Sequence, residues 1–236
     1  MRGTIFQDSA TSLKLWFHAI FLIASTRCGI SAKQLERELG VTYKCAWRMF
    51  NRIRSMLDED IHDLSGNVES DESFFGGRNK NKHANKKKPN THGPQGSDKQ
   101  PVWGAVERGG RVVAKVITDT KQGTLLNSLR ERVLPATAIF TDEAYAYEPL
   151  TGLGYPHKRV HHAAKIYVDG DAHTNTIEGF WSLTKNGIRG VYHNVSTKYL
   201  QSYLNEYAFR FNRRKSLGKR NMFDAFVGKI KKERVA

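Results

Sequence analysis

The sequence predicts an all-helical unit over residues 1–65 followed by an α/β unit with a mixed sheet over 66–236. Three observations carry this reading. Apolar residues recur at helical spacing up to about residue 60, the period changes to strand-like alternation from Asn67, and strands, a helix, a further strand and more helices then follow in that order.

In the helical unit, Leu13, Trp16, Phe17, Ile20 and Ala24 form the apolar series of a first helix. Gly29 breaks the pattern, and Ser31 with Gln34 makes a capping box for a second helix carrying Leu35 and Leu39. Gly40 stops that helix, and Val41 and Thr42 lead into a third with Cys45, Ala46, Met49, Phe50 and Ile53 on its apolar stripe. Helix, glycine turn, helix is the pattern whose second member enters a DNA major groove. Tyr43, Lys44, Trp47 and Arg48 are the candidate DNA contacts on it, and an ordinary three-helix packing unit is the competing interpretation.

In the second unit, strands are expected at 68–75, 102–107, 112–117 and 137–141, with a helix at 122–133 and further helices at 175–188 and 198–213. The stretch 78–100 holds Arg78, Lys80, Lys82, Lys86, Lys87, Lys88 and Lys99 with almost no apolar residue, and reads as a mobile basic loop able to lie along phosphates. On the late helix, Tyr199, Tyr203, Tyr207 and Phe211 read as core, with Arg210, Arg213 and Arg214 directed to phosphates.

The composition agrees with a polyanion partner. Lys and Arg number 38 against 23 Asp and Glu, a net charge of +15. Cys28 and Cys45 are too few for a disulfide framework or a four-cysteine zinc module and suit a reduced, cytoplasmic setting. The longest apolar run, 15–24, falls short of the roughly 20 residues a bilayer requires, so no membrane partner is expected. His157, His161, His162 and His173 lack cysteine partners and match no zinc spacing. His161 or His162 is expected beside the acids and against DNA, and His173 behind them, orienting Asn175 or a ligand.

Three acids stand where a sheet or helix can aim them inward: Asp71 in the first strand, Asp142 directly after the apolar strand 138–140, and Glu178 on the helix whose packed side holds Ile177, Phe180 and Trp181. Two aspartates on neighbouring strands and a glutamate on an adjoining helix can hold two hard divalent cations through oxygen, the arrangement that clamps both oxygens of a phosphodiester displacement. Lys185 follows Glu178 by about two turns at roughly 100° per residue, so both share a face where the lysine can hold a phosphate.

The segments DESFFGGRNKNKHANK, VWGAVERGG, TDEAY, HTNTIEGFWSLTK and YLNEYAFRFNRR, in this order and spacing, resemble the insertion-sequence transposases of the Merlin-related group named after insertion sequence 1595, with their ISXO2-like DDE domain. The resemblance covers nearly the whole chain and implies an RNase H-like fold: a mixed sheet flanked by helices, preceded by the helix-turn-helix unit. It implies metal-dependent strand cleavage and strand transfer at element ends, with Asp71, Asp142 and Glu178 as catalytic acids and metal ligands and Lys185 as the basic residue after the third. Asn175 competes for the third position, since relatives are described with either Asn or Glu there. The implied cofactor is Mg²⁺ or Mn²⁺, two ions per site; the implied partners are the element's double-stranded terminal repeats and target DNA, met by a homo-oligomer in a synaptic complex of the bacterial nucleoid. Relatives carry a cysteine-rich zinc ribbon ahead of the matched segment, so the helix-turn-helix is the expected sequence reader here. The rival expectation is a shortened, catalytically crippled derivative acting as a non-enzymatic DNA-binding regulator.

Overall fold

The computed structural model describes residues 2–77, 83–86, 99–142, 144–160, 173–215 and 222–230. The helical unit contains α1 (Leu13–Ser25), α2 (Ala32–Leu39) and α3 (Tyr43–Ser55). Each begins at a hydroxyl cap: Ser12, Ser31 and Thr42 accept from the backbone N–H of Leu15, Gln34 and Cys45, meeting donors that the first turn leaves free. Gly40 ends α2 at φ 63°, a left-handed conformation that glycine adopts at little cost. Trp16, Ile20, Ile23, Leu35, Phe50 and Ile53 fill the core between these helices. Leu13, Phe17 and Phe21 instead remain 42%, 37% and 51% exposed, because the apolar stripe of α1 is wider than the face its neighbours cover.

The second unit is built on a five-stranded sheet in the order β3-β2-β1-β4-β5: β1 (Asn67–Phe75), β2 (Gln100–Glu107), β3 (Val112–Val116), β4 (Ala138–Thr141) and β5 (His157–Arg159). The first three strands are antiparallel neighbours, while β4 runs parallel to β1 and β5 parallel to β4. This is a mixed sheet flanked by helices, as the resemblance implied. The four expected strands are present, and β5, only three residues long, joins them. α4 (Gln122–Arg132) and a 3-10 segment (Tyr145–Leu153) cover one face with Leu125, Leu129, Tyr147 and Leu150. α5 (Asn175–Gly187), its π-helical continuation (Ile188–Tyr192) and α6 (Thr197–Asn212) cover the other with Ile177, Phe180, Trp181 and Leu204.

α6 also covers the free edge of β3. Gln201 accepts from the N–H of Val116 and donates to the carbonyl of Ala114, and Asn212 accepts from the N–H and donates to the carbonyl of Val112. Side-chain amides thereby satisfy an edge that would otherwise stay open to pairing. The opposite side of α6, with Phe209, joins the core of the helical unit, as does Phe226 of the short α7 (Met222–Val227).

The two units are tied by a buried ion pair. Arg54 of α3 donates Nε to Glu206 of α6 at 2.7 Å, both side chains being at most 1% exposed. Its guanidinium lies between the rings of Phe50 and Tyr203, at 3.6 and 3.5 Å from their centroids. Arg210 supplies a second cation to Glu206 at 2.9 Å. Burial raises the Glu206 carboxyl's pKa, but the two arginines outweigh burial and hold it below the usual range. Glu206→Gln therefore leaves a buried guanidinium without its counter-charge, and is expected to lower unfolding stability by about 3–5 kcal/mol. Urea denaturation followed by tryptophan fluorescence checks this; a loss below about 1 kcal/mol, the level of an exposed pair, would refute it.

Candidate active site

The site starts from the alternation of β1. Glu69, Asp71, Ser73 and Phe75 point to the α5 side of the sheet, and Val68, Ser70 and Glu72 to the α4 side. Glu69 is fully buried. Its carboxylate accepts from the backbone N–H groups of Thr176 at 2.8 Å and Ile177 at 3.0 Å, from Thr176 Oγ1 at 3.0 Å, and from Arg108 Nε at 2.9 Å. A carboxylate at this position meets the free donors and the positive end of the helix dipole. Arg108 donates again to the carbonyl of His173 at 2.7 Å and stacks 3.9 Å from the centroid of Phe140 on β4. His173 Nδ1 lies 3.1 Å from Glu69 without the alignment of a hydrogen bond. β1, β2, β4 and the start of α5 are thus fastened together around one carboxylate.

Two residues further along β1, Asp71 accepts from the indole Nε1 of Trp181 at 3.1 Å. Its partner across the sheet is Gly104 on β2. A Cβ at Gly104 would come within 2.6 Å of the Trp181 ring, so glycine there is what lets the indole lie over the sheet and reach Asp71. The Asp71 carboxyl is pushed up to about 7, by burial first and then by the negative charges of Asp142 and Glu178. Asp142 follows β4 and accepts from the N–H of Ala144 at 3.0 Å in a tight turn. Behind it, Thr141 donates to the Asp142 carbonyl and sits 2.9 Å from His157 Nε2 of β5. Burial and the charge of Arg159 hold that imidazole down at about 4, and it is neutral near pH 7. Glu178, in the first turn of α5, accepts from Thr174 Oγ1 at 2.8 Å. Asn175 is the exposed first residue of the same helix.

A fourth acid adjoins this group. Glu72 accepts from the Tyr147 hydroxyl, which also lies 3.2 Å from Ser70 Oγ, and that serine in turn accepts from Trp103 Nε1 at 2.9 Å. Burial, with the charges of Asp71 and Asp142, pushes the Glu72 carboxyl up to about 8 against the lowering effect of the Tyr147 bond. Sequence reasoning passed over Glu69 and Glu72; their only signal was three acids within four positions of one strand. Lys185 is half-buried, its ammonium 5.9 Å from the Phe75 ring centroid and drawn by the Asp71 charge. The carboxylates of Asp71, Asp142 and Glu178 offer only oxygen, the donor set of a hard divalent cation. Among the described residues, no group of three or more His, Cys, Asp or Glu side chains is already assembled as a metal cage.

The other candidates fall out unequally. Tyr43, Lys44 and Arg48 lie on the exposed side of α3, with Arg48 donating to the carbonyl of Asp8, whereas Trp47 is half-buried against Tyr199 of α6. Lys86 ends a 3-10 turn over Ala84–Lys86. Arg78, Lys80, Lys82, Lys87, Lys88, His161 and His162 lie outside the described residues. Arg210 corrects an expectation: it is 9% exposed and turned inward, bound to Glu206 and the carbonyl of Ile23, because a buried carboxylate one turn earlier claims it. Arg213 likewise pairs with Glu59 and stacks on Phe209, and Arg214 donates to the carbonyls of Gly110 and Phe211. Both serve the packing of α6 in this structure.

Two stability predictions follow from these electrostatics. Because the folded chain holds the Asp71 proton to about 7 while the unfolded chain releases it near 4, native stability falls as pH rises between those values. In metal-free buffer, Asp71→Asn should be more stable than wild type by on the order of 2–4 kcal/mol near pH 8, and the difference should shrink near pH 4. Thermal melts at both pH values check this, and an equal difference at both would refute it. Glu69→Gln should instead destabilise at neutral pH by about 3–5 kcal/mol, since it strands Arg108 and weakens the α5 cap. A urea midpoint unchanged from wild type would count against that.

The family described as the ISXO2-like transposase domain matches residues 63–212. A protein of transposable element ISH50 from Halobacterium salinarum, itself uncharacterized, is 31% identical over 215 residues, covering 85% of this chain and 71% of that one. An uncharacterized transposase-like protein of Haemophilus influenzae is 26% identical over 102 residues, covering 43% of this chain and 81% of its own. Among solved structures, the Mos1 strand transfer complex gives a TM-score of 0.36 at 12% identity, over 95% of this chain and 81% of that one. A chain of a simian T-cell lymphotropic virus intasome gives 0.32 at 16% identity, over 76% of this chain and 65% of that one. With more than half its length inside the matched domain, and that domain being the one that carries the acids, this chain belongs to the ISXO2-like transposase family.

Proposed function

We propose that this chain is a DNA transposase that cleaves and joins strands at the ends of its element. The observation that carries the proposal is the gathering of acids: Asp71, Asp142 and Glu178 come from a strand, a strand end and a helix, yet the latter two are near enough to add to the effect of burial, which is the first cause of the rise of the Asp71 carboxyl to about 7. A protein that uses carboxylates only for stability pairs them with cations, as Glu206 is paired with Arg54 and Arg210. Carboxylates that crowd one another fit a role in which a cation arrives with the substrate or before it.

In this reading Asp71, Asp142 and Glu178 hold Mg²⁺ or Mn²⁺, with Asn175 the alternative to Glu178. When bound, such ions lower the pKa of water and neutralise charge developing on phosphate oxygens. Glu69 and Arg108 keep Glu178 beside Asp71, and Trp181 fixes the Asp71 carboxylate by its indole bond. Lys185 binds the phosphate beside the acids. A water oxygen forms a bond to phosphorus and a 3′ hydroxyl leaves; that hydroxyl then attacks a target phosphodiester, one P–O bond exchanging for another. No nucleotide cofactor is called for, since the exchange is close to energy-neutral.

The exposed Tyr43, Lys44 and Arg48 on α3, behind the Gly40 turn, suit contact with duplex DNA. The half-buried Trp47 suits holding α3 against α6. Assembly of two or more copies around paired DNA ends belongs to the same reading. A second reading, a non-enzymatic DNA-binding derivative, is favoured by one observation: among the described residues the acids do not already form a metal cage.

A cleavage and strand-transfer assay on DNA carrying the gene with its native flanks separates the two. Cut and joined products should require Mg²⁺ or Mn²⁺. Asp71→Ala, Asp142→Ala and Glu178→Ala should each lower the rate by about a thousandfold or more while DNA is still bound. DNA bound by wild type but neither cut nor joined would favour the second reading.

A further inference from the structure

An open groove of about 500 Å³ begins where the acids end. Its wall is formed by Phe75 and Gly76 at the end of β1, Lys99 ahead of β2, Lys185 on α5, Arg189 in the π-helical continuation, and His193 after it. No Asp or Glu is among its described lining residues. The cations are close enough to one another to interact: burial first, then Arg189 and Lys99, lowers the Lys185 pKa, against the pull of Asp71. His193 sits at φ 59°, strained for a residue other than glycine, directly after a π-helical turn. Both features are uncommon and tend to be kept where a site needs them.

We infer that this groove is the seat of the sugar–phosphate backbone flanking the scissile phosphate, with Lys99 and Arg189 binding the phosphates that Lys185 does not reach. The inference rests on the transposase reading. Three observations support the ligand class. Lys99, Lys185 and Arg189 face a space with no Asp or Glu among its described lining residues, which suits an anion. The groove is open, as a passing chain requires, and Lys185 links it to Asp71. Its apolar part, from Phe75 to Leu200, gives sugars and bases a surface that a free inorganic anion does not use. The structural alternative is that these cations only offset the negative end of the α5 dipole.

The test uses the full chain and a short fluorescent DNA duplex of arbitrary sequence, with affinity measured across a salt series. The variant is Lys99→Gln with Arg189→Gln; the charge-matched control is Lys121→Gln with Arg130→Gln, at α4 on the other face of the sheet. The groove variant should bind roughly tenfold or more weakly and lose about 1.8 from the slope of log affinity against log salt, with the control near wild type. Its melting temperature should match wild type. Unchanged affinity and slope alongside active wild-type cleavage would overturn the groove while leaving the transposase reading intact. A lowered melting temperature with unchanged binding would assign these cations to the helix dipole and also overturn it. A wild type that neither binds nor cuts DNA would overturn both.

Discussion

The carboxylate of Glu69 is the constraint on which the rest of the second unit depends. It is buried in the middle of the sheet, where an unpaired charge would cost several kcal/mol, and it is satisfied only because the first turn of α5 and Arg108 of β2's end converge on it. That requirement fixes where α5 starts and how it lies across β1. The pleat then delivers Asp71 to the same face, two residues on, beneath the helix that carries Glu178 and Trp181. One strand thereby supplies both the residue that positions the helix and the residue the helix is positioned against.

Stability and crowding are placed in different parts of the molecule. Around Glu206, two arginines and stacked aromatic rings balance the buried charge and bind the helical unit to α6. Around Asp71, burial and the charges of Asp142 and Glu178 push the carboxyl up, so the fold carries a local cost there. α6 mediates between the two regions. It seals the β3 edge with Gln201 and Asn212 and contributes Phe209 to the helical core, so one helix packs against both the unit bearing α3 and the unit bearing the acids. On the proposed reading, a DNA contact at Tyr43 or Lys44 would be held in register with the acids through packed structure.

Much of this was legible in the sequence, for physical reasons. Alternation over β1 and β2 and helical spacing over α4, α5 and α6 reflect burial on one face, which composition encodes directly. The Ser31 cap and the Gly40 stop are local backbone chemistry and needed no tertiary knowledge. β5 escaped because three residues carry no period, and its pairing with β4 is decided by the sheet edge. Glu69 and Glu72 were hidden because their roles depend on which helix or tyrosine arrives opposite them. Arg210 was directed to phosphates by charge alone, although Glu206 four residues earlier, among buried aromatics, was a readable warning that its guanidinium would turn inward. The rise of the Asp71 carboxyl was not readable, because it depends first on burial, to which the packing of Trp181 over Gly104 contributes.

The central claim is that the acids of β1, β4 and α5 act together on a divalent cation. Anomalous scattering from crystals of the protein grown with Mn²⁺ tests it most directly, because the ion's position is seen independently of any activity. The expected result is a peak in contact with the carboxylates of Asp71 and Asp142, with the Glu178 side chain turned toward it. An ion bound elsewhere, or no ion at concentrations that support cleavage, would contradict it.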